Sequence, residues 1–216
     1  MTPLLPLFPL GTVLLPGAPL SLHVFEERYR RLMADLLAEP RPQQRFGVVL
    51  IREGHEVGAD RVRATYDVGC VAHIHQATPA ADGTYAVTAV GTARFQVRAV
   101  DRRAAYLRAA VDWLPEETGD SEQPFAAVSR LFAAYRELLG AAIDPVELPA
   151  DPRLLSYLVA ATVLADPPDR QQFLAAPDAG ARLAAEAAWL HREVGLLRRL
   201  RTVPAGRLLD TPPSMN

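Results

Sequence analysis

His73 and His75, with Cys70 three residues before them and His23 further upstream, form the one set of imidazole and thiol groups with ligand-like spacing. Two histidines separated by one residue on a strand turn both rings to the same face, a geometry that zinc sites use. Cys70 has the opposite parity and points with Val68 and Ala72. It therefore belongs to a core face, as a small buried thiol. No metal centre is expected, and the same parity denies a Cys–His nucleophile. The five serines (Ser21, Ser121, Ser129, Ser156 and Ser214) include none in a G-x-S-x-G elbow. All 23 basic residues are arginine. Without lysine there is no Schiff base, no Ser–Lys dyad and no phosphate-loop lysine. The acid pairs Glu26-Glu27 and Glu116-Glu117 are adjacent in sequence and read as solvated or helix-start charge. The residues thus point to no enzyme and no cofactor.

The elements that would carry these groups fall into two runs. Residues 1–117 read as a β-rich lobe. The segments "LPLFPL", "TVLLPG" and "LSLHVF" are short and extended, with prolines that confine them to edges, strand starts or bulges. "EERYRRLMADLLAE" has helical spacing, with Tyr29, Leu32, Met33, Leu36 and Leu37 on one face. "RFGVVLI" is a buried strand and "REGHEVGAD" a turn-rich loop. "DVGCVAHIHQA" alternates, "ADGT" supplies a hairpin turn, and "YAVTAVG" and "RFQVRAVD" read as two strands broken near Gly91. "YLRAAVDWL" is the last strand.

A polar, turn-rich stretch, "PEETGDSEQP", ends this lobe, and residues 118–203 read as a helical bundle. Its helices are "FAAVSRLFAAYRELLG", one opened by Asp151-Pro152, a short one after Asp166-Pro167, and a long last one from Asp178 to about Arg201. Leu183, Ala187, Leu190, Val194 and Leu197 make a stripe along the last helix. Residues 204–216 read as a loose tail. The fold class is α+β: a small barrel or folded antiparallel sheet with one helix, then a helical bundle with a long last helix.

Composition limits compartment and partners. The apolar N-terminal stretch has prolines at 3, 6, 9, 16 and 19 and no basic residue before it. It reads neither as a signal peptide nor as a membrane span. One cysteine cannot form an internal disulfide, and a cytoplasmic location is expected. A net charge of −2 disfavours a dedicated nucleic-acid binder. Arginines 94, 98, 102, 103 and 108 nevertheless sit on neighbouring strands, and RNA binding is the alternative they offer.

The landmarks "PLFPL" (6–10), "VLLPG" (13–17), "LSLHVFE" (20–26) and Arg28-Tyr29 resemble the start of the Lon substrate-binding, or Lon N-terminal, domain. Leu15 stands where that family often has Phe, and Ser21 where it often has Pro. Downstream, "VGCVAHIHQ", "GTARFQV" and "YLRAAVDWLPE" resemble its later strands, so the likeness covers residues 4 to 203. The resemblance implies a PUA-like β lobe followed by helices, and a non-catalytic domain that recognises unfolded or partner polypeptides. The chain resembles stand-alone members that lack the ATPase and protease domains.

Glu26, Arg28 and Tyr29 coincide with that motif. They either form a recognition surface, since Arg and Tyr are favoured anchors, or fix the strand-to-helix junction. The helical phase favours the second, with Arg28 paired to a carboxylate and Tyr29 turned inward. Trp113 and Trp189 read first as packing residues and second as candidates for a binding seam.

Overall fold

The computed structural model describes residues 4–55, 62–140 and 147–202. Seven strands and one helix come first: β1 (Leu5–Leu10), β2 (Pro19–Val24), α1 (Glu27–Leu37), β3 (Arg45–Gly54), β4 (Val62–Thr65), β5 (Val68–Pro79), β6 (Tyr85–Asp101) and β7 (Arg108–Trp113). Four helices follow: α2 (Glu122–Leu139), α3 (Pro152–Thr162), α4 (Pro167–Ala175) and α5 (Ala179–Thr202).

The sheet closes on itself. Strand order runs β1-β7-β6-β5-β3, and a parallel β1–β3 pairing, Leu7 with Gly47 through Leu10 with Leu50, joins the ends. All other neighbours in this ring are antiparallel. The result is a five-stranded barrel, and closure removes the open edges that a flat sheet would present. Its interior is filled by Leu5, Leu7, Val49, Val71, Phe95 and Ala109.

The largest of these, Phe95, fits because two strands carry glycine opposite it. A Cβ on Gly47 would stand 2.6 Å from the Phe95 ring. On Gly69 it would stand 2.5 Å from that ring and 2.5 Å from the Val48 carbonyl oxygen. The backbone oxygen cannot yield as a side chain can. Gly69→Ala is therefore expected to destabilise the barrel by about 2 kcal/mol, within the range for overpacked cores. A thermal melt should show a Tm lower by roughly 4–8 °C; an unchanged Tm would contradict this packing.

Outside the ring, α1 lays Tyr29, Leu32, Met33 and Leu36 inward, as its periodicity predicts. Phe8 stacks on Tyr29 at 4.0 Å and lies 5.7 Å from Phe46. The β5–β6 hairpin runs beyond the ring, and β2 adds to its outer half, from Pro19 opposite Val90 to Val24 opposite Tyr85.

Several expectations need correction. "TVLLPG" is not a strand: Val13, Leu14 and Leu15 are buried in a connecting loop. β6 is one strand of 17 residues rather than two. Gly91 does not break it, because the smallness of this residue admits the Leu15 carbonyl, 2.1 Å from where a Cβ would stand. The expected loop at 52–60 is partly strand, since β3 continues to Gly54, and β4, which was not foreseen, pairs with it. Residues 56–60 of that loop, like the C-terminal tail, lie outside the described residues. Val71 of β5 lies in the barrel interior.

Contacts divide the chain into two units, Met1–Glu117 with Val163–Asp178, and Thr118–Thr162 with Ala179–Asn216. Helix α4 thus packs with the barrel and not with the helices, contrary to the 118–203 grouping. Two bonds show why: the Gln171 amide donates to the Val68 carbonyl at 2.9 Å, and Arg94 donates to the Leu174 carbonyl at 2.9 Å. Asp166 caps α4 as expected, accepting from the Asp169 N–H at 3.0 Å.

In the second unit, α2 and α3 pack along α5. Val128, Phe132 and Tyr135 of α2 are buried, as are Leu183, Leu190 and Val194 of α5. Gly140, at φ 62°, ends α2 in the conformation glycine favours.

Candidate functional site

The junction between β2 and α1 is built as a column. Glu26 occupies the helix start in extended conformation, and its carbonyl accepts from the N–H groups of Tyr29 and Arg30. Its carboxylate accepts from Arg28 Nη2 at 3.1 Å. The Arg28 guanidinium lies 4.6 Å over the Tyr29 ring, and that ring stacks on Phe8. Tyr29 is only 4% exposed, so it stabilises the junction and does not protrude as an anchor.

This column forms one wall of an open groove of about 1160 Å³. The opposite wall is the β6–β7 connection, where Tyr106 donates to Asp35 Oδ2 at 3.0 Å. Burial first, and the Asp35 bond second, raise the Tyr106 pKa, which keeps this latch protonated. Five arginines (28, 30, 31, 102 and 108) and three carboxylates (Glu26, Glu27 and Asp35) line the groove, which is net basic. A smaller pocket of about 230 Å³ adjoins it and shares Glu26 and Tyr29. Its lining is largely apolar: Phe8, Pro9, Leu10, Leu22, Val24 and Phe25. Phe25 is 50% exposed, with the His23 ring 6.1 Å away.

The structure separates the other sequence candidates from this place. Trp113 stands half exposed at the end of β7, with Arg45 5.6 Å from its ring. Trp189 is buried in the second unit, edge-on to Tyr135 at 5.8 Å. Phe25 and Tyr106 were not singled out from sequence. Phe25 follows the alternating strand and had a signal there; Tyr106 lies in an aperiodic connection and had none.

The chemistry-bearing residues do not converge. Cys70 is fully buried, and burial pushes its thiol up to about 12, so it is unreactive at neutral pH. His73 is half-buried; burial first and Arg45 second lower its pKa and keep it neutral. A register shift between Ile74 and Gln76 sets His75 out of regular alternation with His73. Among the described residues, no three His, Cys, Asp or Glu side chains gather as a metal site.

Nor do the five arginines form a free phosphate-binding cluster. Arg94 is buried, Arg98 pairs with Asp112 at 2.6 Å, and Arg103 and Arg108 both pair with Asp101 at 2.9 Å. These bonds, that of Arg103 foremost, hold the Asp101 carboxyl well below the usual range. No helix of the described residues is long and apolar enough to cross a membrane.

A closed five-stranded barrel with a packed interior, an open groove beside α1 and a helical unit make up the described residues. The chain belongs to the family of the ATP-dependent protease La (LON) substrate-binding domain, which matches residues 4–192. It is 30% identical over 207 residues to Lon protease 2 of Sorangium cellulosum, covering 89% of this chain and 25% of that protein. To Lon protease 2 of Myxococcus xanthus it is 29% identical over 203 residues, covering 90% and 24%. The chain thus spans about a quarter of the length of these curated relatives. Among solved structures it is similar to a Lon N-terminal domain protein from Xanthomonas campestris, at TM-score 0.62 and 29% identity over 87% of this chain and 98% of that one. The N-terminal domain of Mycobacterium avium complex Lon protease shares the fold at TM-score 0.62 and 19% identity over 88% and 98%.

Proposed function

We propose that this domain binds exposed apolar segments of unfolded or partner polypeptides and performs no chemistry on them. The observation that carries this reading is the family match over residues 4–192. The local geometry supports it. An apolar pocket sized for one large side chain opens into a longer groove, so a segment with one buried anchor and a solvated remainder would fit. The half-exposed Phe25 ring supplies apolar surface at the pocket mouth without being needed for the core.

Photo-crosslinking of the purified chain to unfolded casein and to a peptide array tests this directly. Apolar-aromatic peptides should be enriched, and an even distribution over the array would count against the proposal. Phe25→Ala should weaken binding of the enriched peptides about tenfold, the effect of losing one anchor contact worth about 1.4 kcal/mol. Its thermal stability should stay within about 0.5 kcal/mol of the parent, as for an exposed position. No enzymatic step is assigned: the groove offers paired charges and no activated nucleophile, and the 216 residues contain no lysine.

A further inference from the structure

The outer edge of β2 is open, and its hydrogen-bonding parity can be read from the register. Gly91 donates to the Ala18 carbonyl at 2.9 Å, and the pairing runs without a shift from Pro19 opposite Val90 to Val24 opposite Tyr85. In an antiparallel ladder, bonded residues alternate. Leu20, Leu22 and Val24 therefore face β6 with their backbone groups, whereas Ser21 and His23 turn N–H and C=O to the outer side. β2 pairs with β6 alone, and among the described residues no hydrogen bond reaches the outer groups of Ser21 and His23. Both residues are exposed. They also line the smaller pocket, opposite Phe8, Pro9 and Leu10 of β1. Unpaired strand edges in natural proteins are usually covered or charged; this one carries neither Lys, Arg, Asp nor Glu between residues 19 and 24.

We propose that β2 receives an extended polypeptide by strand addition, seating one apolar side chain in the adjoining pocket and acidic neighbours over the arginine-rich groove. This rests on the polypeptide-binding reading above and specifies its mode and its partner. Backbone pairing to Ser21 and His23 requires an extended segment, since only a strand offers donors and acceptors at a two-residue repeat. The pocket takes an apolar residue because its walls are apolar. Of the five arginines of the groove that continues from it, Arg28, Arg31 and Arg108 pair with Glu26, Asp35 and Asp101, whereas Arg102 is exposed on the lining, so the favoured flanking charge is negative.

The probe is a fluorescein-labelled peptide with a central Val-Phe-Val and three Asp on each side, titrated against the full chain at low salt. Three comparisons read the three parts of the proposal. Methylating alternate backbone nitrogens removes strand donors without changing side chains, and should weaken binding at least tenfold. Exchanging Asp for Lys should weaken it at least tenfold, and Arg102→Glu should narrow that preference. Ser21→Pro removes one outward N–H and no β6 bond, so it should fold with an unchanged melt and lose about tenfold in affinity. Equal binding of methylated and parent peptide, or of Ser21→Pro and parent protein, overturns strand addition. If casein still crosslinks in either case, polypeptide binding stands and only its mode falls; if neither casein nor peptide binds, both fall. A chain that dimerises through this edge, with dimer lost in Ser21→Pro and no peptide binding, overturns the proposal in favour of self-pairing.

Discussion

Arg94→Ala is expected to destabilise the barrel unit by about 3 kcal/mol or more and to release α4 from it. The Arg94 side chain is 1% exposed. Its guanidinium donates to the Glu116 carboxylate, to the carbonyls of Leu174 and Ala176, and to that of Pro115 at 3.0 Å. One side chain thus ties β6 to the segment after β7 and to the C-terminal end of α4. Truncation removes the guanidinium from these buried acceptors, and each buried group left unsatisfied costs about 1–3 kcal/mol. The partly exposed Glu116 contributes less, because water replaces its partner. Arg94→Lys should recover little: an ammonium cannot reproduce a planar fork that serves two directions at once. The measurements are a thermal melt, with Tm lower by roughly 6–12 °C, and hydrogen exchange, with protection lost first in residues 167–175. A Tm within 2 °C of the parent would show that the fork is not what holds α4.

The partners of that same arginine are not legible in the sequence. From sequence, Arg94 sits on a strand near four other arginines and looks like part of a basic patch. Its burial depends on carbonyls some 80 residues away, and no local pattern reports such a partner. Helix α1 was legible for the opposite reason. Its buried face repeats every three to four residues, and its neighbour Phe8 lies in the same N-terminal motif. The cap at Asp166 was legible because it involves residues three apart. Helix α4 itself reads as a helix, yet the sequence groups it with its helical neighbours, because a helix between helices carries no sign that Gln171 reaches back to Val68.

The groove divides in the same way. Glu26, Arg28 and Tyr29 were singled out through a contiguous motif, and the structure brings them together within one turn. The facing wall is latched by Tyr106 and Asp35, 71 residues apart, and neither stood out. Gly91, a glycine inside a strand pattern, suggests a break, whereas here it permits the close approach of another backbone, the alternative meaning of such a glycine.

Glu186→Gln should stabilise the helical unit increasingly as pH rises above about 4.5. Glu186 is fully buried on α5, and among the described residues neither of its carboxyl oxygens has a hydrogen-bond partner. Burial raises its pKa well above the usual value, and the positive charge of Arg182 one turn away offsets only part of this. Arg182 is itself occupied, donating to the Ser156 hydroxyl at 3.0 Å with its guanidinium 3.9 Å from the Tyr157 ring. The sign follows from proton binding. The folded chain holds the Glu186 proton more tightly than the unfolded chain, so raising pH draws protons from the unfolded state first and favours unfolding. The stabilising effect of protonation is complete below the unfolded pKa and is lost progressively up to the folded one. Over that window a single site changes stability by at most about 1.4 kcal/mol per pH unit. Glutamine keeps the shape and cannot ionise. The difference in unfolding free energy between variant and parent should therefore be small at pH 4.5 and grow through pH 6 to pH 7.5, as read by urea titrations followed through helical circular dichroism. A difference that stays flat with pH would show that Glu186 ionises in the fold as readily as in water, and a difference that grows in the opposite direction would mean that Arg182 and Glu186 hold each other charged.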